Sequence, residues 1–375
     1  MLVPLKYNLR NLAVRRLSTL LTALGIGVSV GVFIAVMALV EGIRETFVAT
    51  GEADNVLAIR NAAQAETGSL IEPDAALAVR GVSGISLVSL ERVIYVSLDR
   101  RGTGSSNVVI RGTSEAGRTL RPSVRLVRGR WFRPGSREIT VSREIAERFR
   151  DCGLDEELPT GSAKWKVVGI FDAGRTAFAS EIWTDANDLY SVFQRPTYAV
   201  VLARTTNMRR TIDEMSAARL DLNARPEREY YAEQTKAAGP IRVLGNVIAV
   251  IMAIGSAFAA MNTMYAAVAS RIREVAVLRA LGFSAPAVAT SFLTEAALLA
   301  IAGGVLGGLL ALPLNGIGTG TTNWFTFSEM NFAFAVTPRL LLEGVAFAFV
   351  MGVVGGVLPA IRASRLSPAS AMRAL

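Results

Sequence analysis

The sequence contains no histidine and only one cysteine, Cys152, in 375 residues. Together these absences exclude a zinc site, a haem site with histidine ligation and any catalytic triad that uses a histidine base. A single cysteine cannot form a disulfide within the chain. We therefore interpret Cys152 as a small, semi-buried residue, and we expect neither catalytic residues nor a bound metal.

Lysine is also scarce, and the positions of the four lysines bear on nucleotide binding. A phosphate-binding P-loop places lysine directly after glycine, so that backbone amides and the ammonium group surround the phosphates. No lysine in this chain follows a glycine; the four are Lys6, Lys164, Lys166 and Lys236. The sequence predicts that this chain binds no cofactor, and that any ATP and magnesium are bound by a partner chain.

Long stretches without charge are abundant. Hydrophobic residues make up 51% of the chain and the mean hydropathy is +0.39, which indicates membrane spans. Leu17–Val40 and Val243–Ser270 carry no charge, a third run from Phe283 to Asn315 contains Glu295, and a fourth covers Arg339–Ile361. The apolar core of a signal peptide has about 7–15 residues. We therefore predict that the first run, which has 24 residues, is an uncleaved span.

Basic residues are concentrated beside these runs. Residues 41–238 carry 28 Lys/Arg and 27 Asp/Glu, whereas the rest of the chain carries 12 basic and 4 acidic residues. With both termini in the cytoplasm, ten of those 12 basic residues fall on the cytoplasmic side. Because an excess of Lys and Arg marks cytoplasmic loops, the charges favour this topology. Binding to nucleic acid would not explain such a distribution.

The segment between the first and second runs has the composition of an α+β domain. Runs of β-branched residues predict strands at Arg92–Ser97, Asn107–Arg111 and Lys166–Phe171, and amphipathic spacing predicts helices at Ser142–Phe149 and Thr206–Leu220. Because its acidic and basic residues are nearly equal in number, we expect them to form a solvated surface. The predicted fold has four transmembrane α-helices, with a large α+β extracytoplasmic domain inserted between the first and second spans.

The segment 271–282 is short, rich in arginine and lies between two spans. Ile272, Val275, Leu278 and Leu281 recur at intervals of three residues, which predicts a helix with one apolar face. Such a helix is well placed to bind a soluble partner. The periodicity is equally compatible with a helix at the membrane surface whose arginines contact lipid headgroups.

Glu295 is the polar residue that the membrane would tolerate least. A carboxylate within a span is costly and is a functional candidate for that reason. It could be the proton site of an ion-coupled carrier, or it could form hydrogen bonds between helices; we favour the structural role. Glycines four residues apart also predict close helix contacts, which we expect within one protomer. These pairs are Gly27/Gly31, Gly303/Gly307, Gly304/Gly308 and Gly352/Gly356.

Three segments resemble the MacB/FtsX-like permeases, the membrane subunits of type VII ABC transporters. Asn8 to Ile26 is similar to the family's opening, with the sequence NLRNLAVRRLSTLLTALGI. Asn262 to Gly282, NTMYAAVASRIREVAVLRALG, is similar to the family pattern N-x-M…R-x-R-E-I-x-x-x-R-A-L-G. Leu358 to Arg373, LPAIRASRLSPASAMR, is similar to its ending. The last two segments together are the more specific, and the resemblance covers the whole chain.

The resemblance implies a homodimer that associates with two copies of an ABC ATPase in a bacterial inner membrane. Motion of the ATPases would then reach the extracytoplasmic domain and drive export or extrusion of a substrate, and a periplasmic adaptor is left open as a further partner. The segment 271–282 would be the coupling helix, with the ATPase contacts Arg271, Arg273, Glu274, Val275, Leu278, Arg279, Leu281 and Gly282. One alternative is an FtsX-like regulator that acts on an extracytoplasmic enzyme. The other is the ion-coupled carrier that uses Glu295.

The predicted boundaries follow the hydropathy and charge of the chain. They are a cytoplasmic N-terminal segment 1–16, a first span with its extension 17–50, the extracytoplasmic domain 51–238, a second span 239–270, the coupling helix 271–282, a third span 283–314, an extracytoplasmic loop 315–338, a fourth span 339–361 and a cytoplasmic tail 362–375.

Overall fold

The computed structural model describes residues 4–14, 16–235, 239–322 and 329–365. The chain divides into two compact units. The helical unit comprises residues 1–41, 239–317 and 334–375, and the mixed unit comprises residues 42–238 and 318–333.

The helices of the described residues are, in chain order, α1 Leu5–Val14, α2 Arg16–Val48, α3 Pro73–Ala78, α4 Glu115–Thr119, α5 Arg143–Arg148, α6 Ala186–Phe193, α7 Met208–Ala217, α8 Glu227–Gln234, α9 Gly239–Ser270, α10 Ile272–Ala280, α11 Ala285–Ala311 and α12 Pro338–Ser364. The strands are β1 Asn55–Arg60, β2 Ile85–Asp99, β3 Ser105–Thr113, β4 Arg125–Gly129, β5 Glu138–Ser142, β6 Glu157–Thr160, β7 Ala163–Asp172, β8 Glu181–Asp185, β9 Val200–Thr205, β10 Leu222–Pro226, β11 Gly318–Thr322 and β12 Glu329–Ala333.

Within the described residues, four helices are long and apolar enough to cross a membrane. The candidate spans are Arg16–Val48, Ile241–Ser270, Ala285–Leu314 and Pro338–Ser364. The first and second flank the segment that forms most of the mixed unit. The predicted fold class, four apolar helices with an inserted mixed α/β domain, is therefore confirmed.

Glycines bring α2 and α11 into backbone contact. A Cβ added at Gly27 would lie 3.2 Å from the carbonyl oxygen of Gly303, and one added at Gly307 would lie 2.6 Å from that of Gly27. Gly31 faces Gly307 as well, so both predicted pairs lie in one contact. Small residues allow this close approach, and packing of this kind holds helices together within a bilayer.

The remaining predicted glycines pack α11 against α12. A Cβ added at Gly304 would lie 2.9 Å from the Cβ of Ala348. Gly308 faces α12, and Gly352 and Gly356 face α11. All four glycine pairs thus make contacts within one chain, as predicted.

The mixed unit is built on a ten-stranded sheet with the order β10-β1-β9-β2-β3-β8-β5-β7-β4, in which β6 also pairs with β7. The β3–β8 and β5–β7 pairs are parallel and the other pairs are antiparallel. The three predicted strands lie within β2, β3 and β7, and the two predicted helices correspond to α5 and α7, so these predictions are confirmed. One apolar cluster of this unit contains Phe149 and Trp165, and a second contains Val56 and Met215.

The segment between the third and fourth spans contains a hairpin that sequence analysis did not predict. β11 and β12 pair antiparallel, from Gly318 opposite Ala333 to Thr322 opposite Glu329. The N–H of Asn331 donates to Ser180 Oγ at 2.8 Å, which attaches the hairpin to the rest of the mixed unit. Aromatic residues suit a membrane–water interface, and three of them in this segment, Trp324, Phe325 and Phe327, lie outside the described residues.

A network of charged side chains lies inside the mixed unit, where a solvated surface was expected. Glu91 is fully buried and accepts hydrogen bonds from Arg121 at 2.5 and 2.8 Å and from Arg111 at 2.9 Å. Arg111 also pairs with Glu66 and Glu181, each at 2.7 Å. The expectation was therefore wrong for these five side chains. Burial is tolerated because each carboxylate is paired with a guanidinium.

The network changes the acidity of Glu91. Burial alone would raise the pKa of this carboxyl, but the positive charges of Arg121 and Arg111 outweigh burial and lower the pKa to about 2. Glu91 is therefore ionised throughout the physiological pH range, and its charge contributes to the stability of the fold.

Candidate functional site

Arg271 separates α9 from α10. Its backbone leaves the helical conformation, with φ −119° and ψ 18°, and it precedes the first residue of α10. The N–H of Val275 donates to the carbonyl oxygen of Arg271 at 3.0 Å, so helical hydrogen bonding resumes at once. The turn at this single residue sets the direction of α10.

The side chain of Arg271 points into the helical unit, and the residue is only 7% exposed. Nη1 donates to Glu295 Oε2 at 2.8 Å, and Nε donates to Glu274 Oε2 at 3.0 Å. The guanidinium carbon lies 5.2 Å from the ring centre of Phe292 and 5.4 Å from that of Tyr7. Burial alone would lower the pKa of Arg271, but its neighbours, Tyr7 and Glu295 foremost, raise it above its ordinary value.

Glu295 lies in α11 and is 3% exposed. Its partner Arg271 is fully charged, so the two form a buried ion pair between the beginning of α10 and α11. Loss of one partner from such a pair leaves an uncompensated buried charge, which costs about 3–5 kcal/mol. The sequence singled out both residues, and the structure shows that they are partners.

The exposed side of α10 is a narrow stripe. Arg273, Val277, Ala280 and Leu281 are exposed and follow the i, i+4, i+7, i+8 spacing of one helix face. Val277 is 57% exposed and Leu281 is 72% exposed. We call these four residues the docking stripe; it presents two large apolar side chains, Val277 and Leu281, the small Ala280 and one positive charge.

The opposite side of α10 packs within the helical unit. Val275 is 2% exposed and belongs to an apolar cluster with Val288 and Phe292 of α11. Ala276 is also buried. The apolar residues of α10 therefore divide between the interior and the surface.

Three predicted contact residues lie at the boundary between these two sides. Leu278 and Arg279 are half-buried, and the side chain of Glu274 is 53% exposed. Arg279 Nη1 donates to the carbonyl oxygen of Phe283 at 3.2 Å, just after the helix. These contacts stabilise the end of α10 and leave part of each side chain accessible.

Gly282 ends α10. Its φ of +92° belongs to the left-handed region, where glycine is favoured because it has no Cβ. The N–H of Gly282 donates to the carbonyl oxygen of Arg279 at 3.2 Å, and that of Phe283 donates to Leu278 at 3.1 Å. This is the Schellman pattern of helix termination. Ser284 then caps α11 by accepting a hydrogen bond from an N–H of the first turn, so the chain enters the third span directly.

Sequence analysis missed the participation of α1. The hydroxyl of Tyr7 donates to Glu274 Oε2 at 2.8 Å, and Ser291 Oγ of α11 donates to Asn8 Oδ1 at 2.7 Å. Asn8 is 2% exposed. Nothing in the spacing of the N-terminal segment indicated these partners, which lie more than 260 residues away in the sequence.

The chemistry of the site suits binding of a protein surface. Among the residues that the structure describes, no group of three or more Cys, Asp or Glu side chains could hold a metal ion. The C-terminal tail, which also carries arginines, is described only as far as Arg365, so Arg373 lies outside the described residues. The features available here are an apolar stripe, its arginine and the anchored helix beneath them.

Two family models match the chain. The MacB-like periplasmic core domain matches residues 19–218, and the FtsX-like permease C-terminal model matches residues 246–368, which include α10.

Curated relatives are similar to this chain over almost its whole length. The macrolide export ATP-binding/permease protein MacB of Bartonella henselae is 26% identical, over 95% of this chain and 57% of that protein. The pyoverdine export ATP-binding/permease protein PvdT of Pseudomonas entomophila is 25% identical, over 99% of this chain and 60% of that protein. YknZ of Bacillus subtilis, named an uncharacterized ABC transporter permease, is 23% identical, over 100% of this chain and 99% of that protein. The chain thus spans less than two thirds of the two export proteins and nearly all of YknZ.

Proposed function

Since this chain belongs to the MacB/FtsX-like permease family, we propose that it is the membrane subunit of a type VII ABC transporter and that an ABC ATPase docks on α10. The docking stripe is the observation that carries this proposal. Two exposed apolar side chains and an arginine stand on a short helix whose other side is anchored. The fully buried centre of an interface is more apolar than the rest of the surface, and arginine is enriched among the residues that contribute most to binding.

The anchoring of α10 suits it to transmit force. α10 follows α9 after one residue, and Arg271 joins it to α11 through Glu295. Val275 adds apolar contact with α11. A displacement imposed on the docking stripe would therefore act on two spans rather than on a free loop. We propose that this motion continues to the mixed unit and drives export or extrusion of a substrate from the membrane or the periplasm.

The charge distribution supports an orientation. We propose that the protein lies in the inner membrane of a bacterium, with both termini and α10 in the cytoplasm and the mixed unit outside. Arg271, Arg273 and Arg279 are among the ten basic residues that this orientation places in the cytoplasm. An ATPase in the cytoplasm could then reach the docking stripe.

The assembly we propose is a homodimer with two ATPase subunits, which bind the ATP and magnesium. The absence of a Gly-Lys pair supports nucleotide binding outside this chain. YknZ, which this chain covers almost completely, is named an ABC transporter permease, whereas MacB and PvdT are named ATP-binding/permease proteins. The names of MacB and PvdT support export as the process. A periplasmic adaptor would be a further partner.

Transport driven by a partner ATPase is favoured over transport by an ion-coupled carrier. Glu295 is 3% exposed and is paired with Arg271 at 2.8 Å, which supports the structural role of joining α11 to the beginning of α10. A regulator that transmits ATPase motion to an extracytoplasmic enzyme would use the same docking stripe, and the export names of the relatives favour transport over it.

Co-purification with an ABC ATPase co-expressed from the same organism tests the proposal. We expect the ATPase to be retained by the wild type and lost, by at least tenfold, from the Val277→Asp/Leu281→Asp variant, because both substitutions place a charge in a desolvated contact. A matched control is Val127→Asp/Leu77→Asp, which changes two exposed apolar residues of the mixed unit.

Equal retention by the stripe variant and the wild type would show that the ATPase binds elsewhere. Absence of the ATPase from the wild type in a mild detergent would contradict the whole proposal. The control should retain the ATPase in full.

A further inference from the structure

Side chains of α1 form hydrogen bonds with both α10 and α11, the two helices on either side of the turn that follows the docking stripe. Tyr7 bonds to Glu274 in the first turn of α10, and Asn8 bonds to Ser291 in α11. Neither bond is needed to connect α10 with its neighbouring spans, which are joined to it through the backbone. They attach a third element, α1, to the site.

We propose that α1 is a brace for α10, in which Tyr7 and Asn8 are positioning residues that hold the docking stripe in the orientation the ATPase requires. This inference rests on the proposed function of α10. Tyr7 and Asn8 act through Glu274 and Ser291, and contact with the ATPase is no part of their role.

Tyr7 completes a chain of side chains that crosses the site. Glu274 Oε2 accepts from the hydroxyl of Tyr7 at 2.8 Å and from Arg271 Nε at 3.0 Å. Arg271 continues the chain to Glu295. The series runs from α1 through α10 to α11, so the carboxylate of Glu274 is fixed from two directions. Hydrogen bonds to a charged acceptor are among the stronger ones in proteins.

Asn8 supplies a second, buried attachment. Consecutive residues of a helix point in directions about 100° apart, so Tyr7 and Asn8 bond to different neighbours. Asn8 is 2% exposed and its Oδ1 accepts from Ser291 Oγ at 2.7 Å. Two bonds in different directions fix the rotation of α1 about its own axis, which one bond would not do.

The helix α1 is itself connected to a closely packed pair of helices, α2 and α11. α1 ends at Val14 and α2 begins at Arg16, and α2 packs against α11 through backbone contact at Gly27 and Gly307. A rotation of α10 away from its position would have to stretch the bond to Tyr7 or carry α1 with it. An N-terminal helix that only rests on lipid headgroups would offer no such resistance.

The affinity of the purified ATPase for the full-length chain in lipid nanodiscs tests the brace. We expect Tyr7→Phe, which removes one hydroxyl, and Asn8→Ala each to weaken binding about three- to tenfold, because the stripe is no longer held. In the Glu274→Ala background, Tyr7→Phe should have no further effect.

Two controls accompany these variants. Arg10→Gln changes an exposed residue of α1, and Tyr190→Phe removes an exposed hydroxyl from the mixed unit. Both should bind the ATPase as the wild type does. Tyr7→Phe should still unfold in one cooperative transition, with a melting temperature within a few degrees of the wild type, which separates loss of positioning from loss of folding.

The outcomes distinguish this inference from the function on which it rests. If the stripe variant loses the ATPase but Tyr7→Phe and Asn8→Ala bind it normally, the brace is refuted and the docking site stands. If Tyr7→Phe weakens binding equally with and without Glu274, the positioning role is refuted as well. If the wild type binds no ATPase, both proposals fall.

Discussion

Glu91→Gln should destabilise the mixed unit by an amount that follows from its acidity. The pKa of Glu91 is about 2 in the folded chain, against an ordinary value of 4.5. Each unit of difference corresponds to about 1.4 kcal/mol, so the charge of this buried group contributes about 3 kcal/mol at pH 7. In Glu91→Gln an NH2 group also replaces one of the two oxygens that accept hydrogen bonds from Arg121, so one of those bonds is lost.

The dependence on pH has a definite sign. Because the folded pKa is lower than the unfolded one, the contribution of Glu91 is complete above about pH 4.5 and is lost as the pH falls towards 2. The difference in stability between wild type and Glu91→Gln should therefore be constant from pH 7 to about pH 5 and then shrink. Taking the difference between the two proteins cancels the titration of other groups.

Denaturant unfolding of the full-length chain in detergent, followed by tryptophan fluorescence, measures this difference. Trp183 reports on the network directly, because its Nε1 donates to Glu181 Oε2 at 2.7 Å. Glu157→Gln is the control, since Glu157 and its partner Lys164 are exposed and 3.4 Å apart, and such pairs contribute little. A loss below about 1 kcal/mol at pH 7, or a difference that does not shrink in acid, would refute the reasoning.

Two further predictions concern packing and reactivity. Gly307→Ala should lower the melting temperature by several degrees, because its Cβ would lie 2.6 Å from the carbonyl oxygen of Gly27. Gly255→Ala is the control, since nothing lies within 4 Å of its added Cβ; equal melting temperatures for the two variants would contradict the prediction. Cys152 is fully buried, and burial raises the pKa of its thiol to about 12, so a maleimide at pH 7 should label it only after denaturation. Rapid labelling of the native chain would contradict this.

The parts of the fold that depend on composition were predictable. A run of 24 residues without charge can be little other than a span, and β-branched runs between turn residues predicted β2, β3 and β7. Glycines four residues apart predicted helix contacts, although their partners depend on how the helices are arranged. The buried charges were not predicted, because amino-acid composition does not distinguish the buried pair Glu91 and Arg121 from an ion pair on the surface.

The orientation of α10 was not predictable from its sequence. Apolar residues also lie outside the face that the three-residue spacing predicted. With Leu281 included, the apolar residues are Ile272, Val275, Ala276, Val277, Leu278, Ala280 and Leu281. The apolar spacing suggested Val275 as a contact and overlooked Val277. The burial of Arg271 determines how α10 is rotated about its own axis, and this burial depends on Glu295 in another helix. The boundaries of the domains and the ATPase contacts remain predictions.

The ion pair of Arg271 and Glu295 bears on how the chain enters the membrane during synthesis. An unpaired acidic residue in the middle of a span opposes insertion by about 3 kcal/mol. Only 24 positions separate Glu295 from its arginine, and most of that distance is occupied by α10 and the first turns of α11. The partner is thus already synthesised and close at hand when Glu295 leaves the ribosome. The charge of Glu295 in the third span can therefore be neutralised by Arg271, which precedes that span in the sequence, before the fourth span has been synthesised.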